Sequence, residues 1–191
     1  MCNETFCVCY NKDIFEGGMI MLHKKVAELL NQQINKELYS AYLYLDFSNF
    51  FIDHGLVGFG NWFKIQAKEE MSHADLFMQY LQNNNLSIEL EAIAKPNIDL
   101  VDVRTPLVES LHHEELVTAS IYGIYEAALE VKDYRTQEFL QWFIKEQGEE
   151  EKNANDLILQ FDMYGSDKAS LLQLDIYLGK RTFSAPSLDL D

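Results

Sequence analysis

The chain has 191 residues, 48% of them hydrophobic and 24% charged, a balance that folds as one ordinary globular domain and excludes a chain disordered as a whole. Fifteen Lys and Arg against 31 Asp and Glu leave a formal net charge of -16, which repels nucleic acid and anionic lipid and concentrates cations instead. No apolar run approaches the roughly 20 residues that span a bilayer, so neither a nucleic acid nor a membrane is an expected partner.

The first segment, MCNETFCVCYNKDIFEGG, has neither the basic start nor the apolar stretch of a secretory leader, and the expected location is the cytoplasm. Cys2, Cys7 and Cys9 all fall here, which leaves no disulfide framework for the rest and suits a reducing compartment. Glu16-Gly17-Gly18 is what a purine-rich ribosome-binding site encodes when read in frame, and Met19 and Met21 follow it. Residues 1–20 are therefore expected to be a non-native start or a disordered extension. The domain is expected over 21–181 and a tail over 182–191.

Pro96, Pro106 and Pro186 are the only prolines, so 21–95 and 107–185 lack the strongest helix breaker, and both are rich in Leu, Ala, Glu, Gln and Lys. Stop signals at Asp53-His54-Gly55, Asn83-Asn84-Asn85, Lys132-Asp133 and Gly165 predict helices over 22–53, 57–82, 106–131 and 135–163, then a short one over 168–179. Thr105-Pro106 reads as a cap followed by Pro at the first helical position. The second and third helices are joined by about 22 residues, which extended at ~3.3 Å each outreach a 26-residue helix of ~39 Å. The other two joints are short and force antiparallel hairpins. Two hairpins joined by one long crossover make an all-α, ferritin-like four-helix bundle, here with a short fifth C-terminal helix.

Each long helix carries an apolar stripe at spacings of three and four, and a polar position interrupts each stripe near its middle. The first reads Val26, Leu30, Ile34, Glu37, Ala41, Tyr44; the second Phe63, Ala67, Glu70, Ala74, Phe77, Leu81. The third reads Leu107, Leu111, Glu114, Thr118, Ile121, Tyr125; the fourth Phe139, Phe143, Gln147, Glu150, Ala154, Leu157, Phe161. Burying four unpaired carboxylates costs several kcal/mol each, and no Lys or Arg holds a neighbouring stripe position. A hard, multiply charged cation compensates them. Glu70-x-x-His73 sets a carboxylate and an imidazole one turn apart on one face, so the set matches a carboxylate-bridged di-iron centre. His112 and His113 point off the stripe and read as surface residues.

The segments LLNQQINKELYSAYLYL (29–45), QAKEEMSHAD (66–75), HHEEL (112–116) and FLQWFIKEQGEEEK (139–152) resemble the bacterial non-haem ferritins, from Met21 to about Phe183. The resemblance implies a first iron site of Glu37, Glu70 and His73, and a second of Glu70 as bridge, Glu114 and Glu150, with Gln147 beside it. Glu69, Glu146 and Glu149 match acidic residues that, with Glu150, form a third iron site. Tyr44 matches a tyrosine next to the centre and Trp142 a nearby tryptophan, the latter read here as packing. Bacterioferritins carry a haem-ligating Met where Met71 stands, but also a second ExxH where this chain has Gln147-x-x-Glu150, so iron is expected and haem is not. The implied activity is a ferroxidase that oxidises Fe(II) with O2 or peroxide and deposits ferric oxyhydroxide inside a homo-oligomeric shell of twenty-four subunits. The short fifth helix corresponds to a segment gathered at an axis of that shell, or else it folds over its own bundle. The rival readings are another di-iron oxidase or oxygenase on the same bundle and a non-catalytic helical scaffold, which leaves the buried carboxylates unexplained.

Overall fold

The computed structural model describes residues 22–188 and 190. The expectations for residues 1–20 and for the three cysteines lie outside the described residues. Five helices follow in order: α1 (Lys24–Asp53), α2 (Val57–Asn83), α3 (Thr105–Glu130), α4 (Tyr134–Tyr164) and α5 (Lys168–Leu178). Among the described residues there is no strand, and no helix is long and apolar enough to cross a membrane.

Local chemistry sets the ends. The first turn of α1 is capped by His23, whose Nδ1 accepts from the Lys25 amide. Gly55 turns the α1–α2 joint with a φ of 76°, a conformation open to glycine at little cost. Asp133 caps α4 by accepting from the Thr136 amide, just after Lys132 has turned the chain at φ 58°. At α3 the capping differs from expectation. Thr105 is already the first helical residue, and Asp102 does the capping, its Oδ1 accepting from the amides of Arg104 and Thr105 and from the Thr105 hydroxyl.

Two apolar clusters fill the bundle. One joins Val26, Leu30 and Ile34 to Leu76–Leu81, to Ile121–Ala128 and to Phe139–Phe143; here α2 and α4 meet through stacked rings, Phe77 on Phe143 at 4.2 Å and Tyr80 on Phe139 at 4.1 Å. The other joins Leu43–Phe51, Phe59–Ala67, Leu107, Leu157 and α5, with Phe63 stacked on Phe51 at 5.4 Å. The long connection links the two ends. Leu86 and Ile88 pack on the first cluster and Ile98, Leu100 and Val103 on the second. Between them the connection docks on α1, where the Asn31 and Asn35 side chains exchange hydrogen bonds of 2.9 Å with the Glu89 and Glu91 backbone. The crossover therefore runs the length of the bundle and makes α2 and α3 parallel.

The last helix folds over its own bundle. Leu174 and Leu178 enter the second cluster, and Asp175 Oδ1 accepts from the buried amide of Phe59 at 2.9 Å. Leu172, Ile176 and Tyr177 stay exposed on its other side. After α5, Leu188 and Leu190 pack on the first cluster.

The approach of α2 to α5 depends on Gly58, where an added Cβ lies 1.7 Å from the backbone oxygen of Asp175. Gly58→Ala is expected to destabilise the protein by at least the ~1–3 kcal/mol typical of overpacking. Gly123→Ala, in open space on α3, is expected to stabilise it by roughly 0.5–1 kcal/mol, the usual helix-interior difference. Thermal denaturation of the two variants side by side checks the opposite signs.

Candidate metal centre

Glu37, Glu70, His73, Glu114, Gln147 and Glu150 all converge on the layer between the two apolar clusters, each 4% exposed or less. Their helices place them there because each sits at the mid-helix interruption of an otherwise apolar face. Ligand atoms of Glu37, Glu70 and His73 lie within 4.8 Å of one another, close enough to hold one ion. The His73 Nδ1 is 3.3 Å from Glu70 Oε2. A second group meeting the same distance is His73, Glu146 and Glu150. The expected second trio of Glu70, Glu114 and Glu150 surrounds the same chamber, but Glu114 is turned to other partners. Its Oε1 accepts from the Tyr44 hydroxyl and its Oε2 from Gln147 Nε2 at 3.2 Å.

The acidic residues of the outer group separate. Glu146 is half-buried beside His73, whereas Glu149 is exposed and paired with Lys145 at 3.5 Å. Glu69 accepts from Arg181, a cation that approaches from beyond α5 rather than from a stripe. Trp142 sets its ring on His73, centroids 5.7 Å apart at 72°. Met71 lies on the outside of α2.

Three residues escaped sequence reasoning. Gln33 Nε2 donates to Glu37 Oε1 at 2.8 Å, and Gln66 Nε2 donates to Glu150 Oε2 at 2.6 Å and to Glu70 Oε1 at 3.4 Å. Both glutamines stand four residues before a stripe carboxylate, so the repeated Gln-x-x-x-Glu spacing was their signal. His113 is a correction: it is half-buried, hydrogen-bonded through Nε2 to Ser40 Oγ at 2.7 Å, and set edge-on against Tyr44. Removal from water pushes its pKa down to about 4.

Burial, and then the charge of Glu70, push Glu37 and Glu114 up to about 8; burial and the charge of Glu114 do the same to Glu150. Glu70 is held well above the ordinary range by burial and by Glu150. Glu37 Oε2 is buried with no hydrogen-bond partner. Such an oxygen is costly unless something positive meets it. Hard carboxylate oxygens with one imidazole suit a first-row divalent ion such as Fe(II).

A family model described as a ferritin-like domain matches residues 27–163, most of the chain. The chain belongs to the ferritin family. It is 35% identical to the bacterial non-heme ferritin of Campylobacter jejuni over 158 residues, which cover 83% of this chain and 95% of that one. The bacterial non-heme ferritin of Staphylococcus aureus is also 35% identical, over 85% of this chain and 98% of its own. Among solved structures, an engineered closed form of the Archaeoglobus fulgidus ferritin superposes with a TM-score of 0.83 at 37% identity, covering 85% of this chain and 99% of that one.

The three carboxyls near 8 predict a pH dependence of the metal-free protein. Their folded pKa lies above the ordinary 4.5, so the stability they contribute is full below about 4.5 and is lost as pH rises through about 8. The melting temperature without metal is expected to fall as pH is raised across that window. A divalent metal, which replaces the protons, is expected to raise it most at the alkaline end. The triple Glu→Gln variant at positions 37, 114 and 150 is expected to flatten the decline; a wild-type slope in that variant counts against the assignment.

Proposed function

We propose that this chain is the subunit of an iron-storage assembly and that its mid-bundle chamber is a ferroxidase centre. Membership of the ferritin family makes iron storage its general function. The observation that carries the finer reading is the cluster of Glu37, Glu70 and His73, in which one buried oxygen of Glu37 has no hydrogen-bond partner. Fe(II) is the substrate. Glu146 and Glu150, grouped on the other side of His73, offer carboxylates for a second ion.

The protein's contribution is binding, orientation and proton handling. Carboxyls kept protonated by burial release those protons as Fe(II) enters, so four inward acids become an anionic cage only when cations are present to meet them. Gln33, Gln66 and Gln147 fix one oxygen each of Glu37, Glu150 and Glu114 without adding charge. The Tyr44 hydroxyl aims Glu114, and aromatic rings on either side keep bulk water out. Two Fe(II) held together each give up one electron; dioxygen takes both with two protons and leaves as hydrogen peroxide, or peroxide takes both with two protons and leaves as two waters. Carboxylate ligation favours the ferric product, which is consistent with onward deposition as ferric oxyhydroxide.

A homo-oligomeric shell, twenty-four subunits in the family pattern, completes the reading. The exposed Leu172, Ile176 and Tyr177 of α5 support it, because an apolar face on a short terminal helix is suited to contact with other copies. The acidic excess of the chain would help concentrate Fe(II), and the cytoplasm is the compartment proposed.

Fe(II) addition in air, followed by absorbance of the ferric product, tests the centre. Glu37→Ala and His73→Ala are each expected to slow the initial oxidation by more than the roughly tenfold that losing a supporting outer residue costs. Oxidation at the wild-type rate in both variants overturns the site. Iron retained far above two per chain distinguishes storage from an oxidase or oxygenase on the same bundle.

A further inference from the structure

The chain beyond α5 runs back over the metal centre. At one end Asn61 of α2 donates to the Arg181 carbonyl at 3.0 Å; at the other, Asn83 of α2 donates to the Leu190 carbonyl at 3.0 Å. From Asn61 to Asn83 a helix rises ~33 Å, and the nine steps from Arg181 to Leu190 reach ~30 Å when extended. The described residues of this segment therefore form a strap along α2. Trp142 of α4 reaches it at Ser187, 3.4 Å away, so the strap lies over the seam between α2 and α4.

Arg181 anchors its near end and is bound from four sides. Its guanidinium donates to Glu69 and, through Nη1, to Gln66 Oε1 at 2.9 Å and the Trp62 carbonyl at 3.3 Å, and it lies 4.4 Å over the Trp62 ring. Gln66 passes the contact inward, because fixing its Oε1 on Arg181 leaves Nε2 to donate to Glu150 Oε2 at 2.6 Å. Glu150 belongs to the trio with His73 and Glu146. Arg181 thus sits on Glu69 and reaches Glu150 through Gln66, while the other cation at the acidic rim, Lys145, pairs with Glu149.

We propose that Arg181 is a tethered counter-cation held on Glu69 at the rim of the metal centre. It sets the Gln66 amide toward Glu150, and it occupies Glu69, so that a cation recruiting Glu69 at the outer side must first displace the guanidinium. The inner trio of Glu37, Glu70 and His73, which Arg181 does not touch, fills first; the outer step is weak by construction. This inference rests on the metal-centre reading above.

Calorimetric titration of the metal-free, assembled full-length protein with Zn(II), which is redox-inert, tests it. Wild type is expected to show tight binding at the inner centre followed by a weaker step. Arg181→Gln is expected to leave the tight step in place and to strengthen the weaker one about tenfold. A chain ending after Arg181, which lacks the strap but keeps the guanidinium, is expected to titrate like wild type. If Arg181→Gln does not assemble, Arg181→Lys serves: it keeps the charge but cannot hold Glu69 and Gln66 together, and it is expected to strengthen the weak step by a smaller factor. An unchanged weak step in the Arg181 variants overturns the proposal, as does an equal gain in the truncated chain, which assigns the effect to coverage by the strap. Absence of any tight Zn(II) step in wild type instead overturns the metal centre itself.

Discussion

Acid buried at the middle of an apolar bundle is the constraint around which this molecule is arranged. Glu37, Glu70, Glu114 and Glu150 share one chamber almost closed to solvent. Keeping carboxyls there costs several kcal/mol apiece unless they are protonated or matched by positive charge. Two aromatic and aliphatic clusters, one on each side, carry the packing that tolerates the cost. The polar layer lies between these two regions, and within it Glu37 keeps an oxygen with no hydrogen-bond partner.

The choice of partners inside the layer follows from the same constraint. A Lys or Arg in the chamber would pair the carboxylates and exclude a metal. Neutral amides do the opposite: Gln33, Gln66 and Gln147 orient carboxylates while leaving their charge for a cation. Among the described residues, fixed positive charge meets this layer at the rim, where Arg181 holds Glu69. The gradient from neutral donors inside to a fixed cation at the edge separates two classes of acidic residue that are alike in sequence.

Two segments without regular structure complete the arrangement. The crossover binds along α1 through the Asn31 and Asn35 amides and delivers α3 parallel to α2, which brings Glu114 to the level of Glu70. The strap after α5 returns along α2 and reaches the opposite cluster at Leu188 and Leu190. Each is extended chain tied by side-chain amides to a helix, a cheap way to satisfy backbone groups outside a ladder.

The sequence by itself determined the five helices, the hairpin–crossover–hairpin order and the inward carboxylates, because a stripe of period 3.6 broken by a charge in each long helix is a local pattern. Glu37, Glu70, Glu114, Gln147 and Glu150 were legible as interruptions of the stripes and His73 by its spacing from Glu70, and Gln33 and Gln66 could have been, four residues before Glu37 and Glu70. Only the tertiary structure decided what depends on approach from far along the chain. Arg181 meets Glu69 across 112 residues, His113 is half-buried because Ser40 and Tyr44 of another helix face it, and Glu114 turns to Tyr44. Helical spacing reports which face a side chain occupies, whereas its partner is set by how helices and returning segments pack, and no periodicity along one helix encodes that.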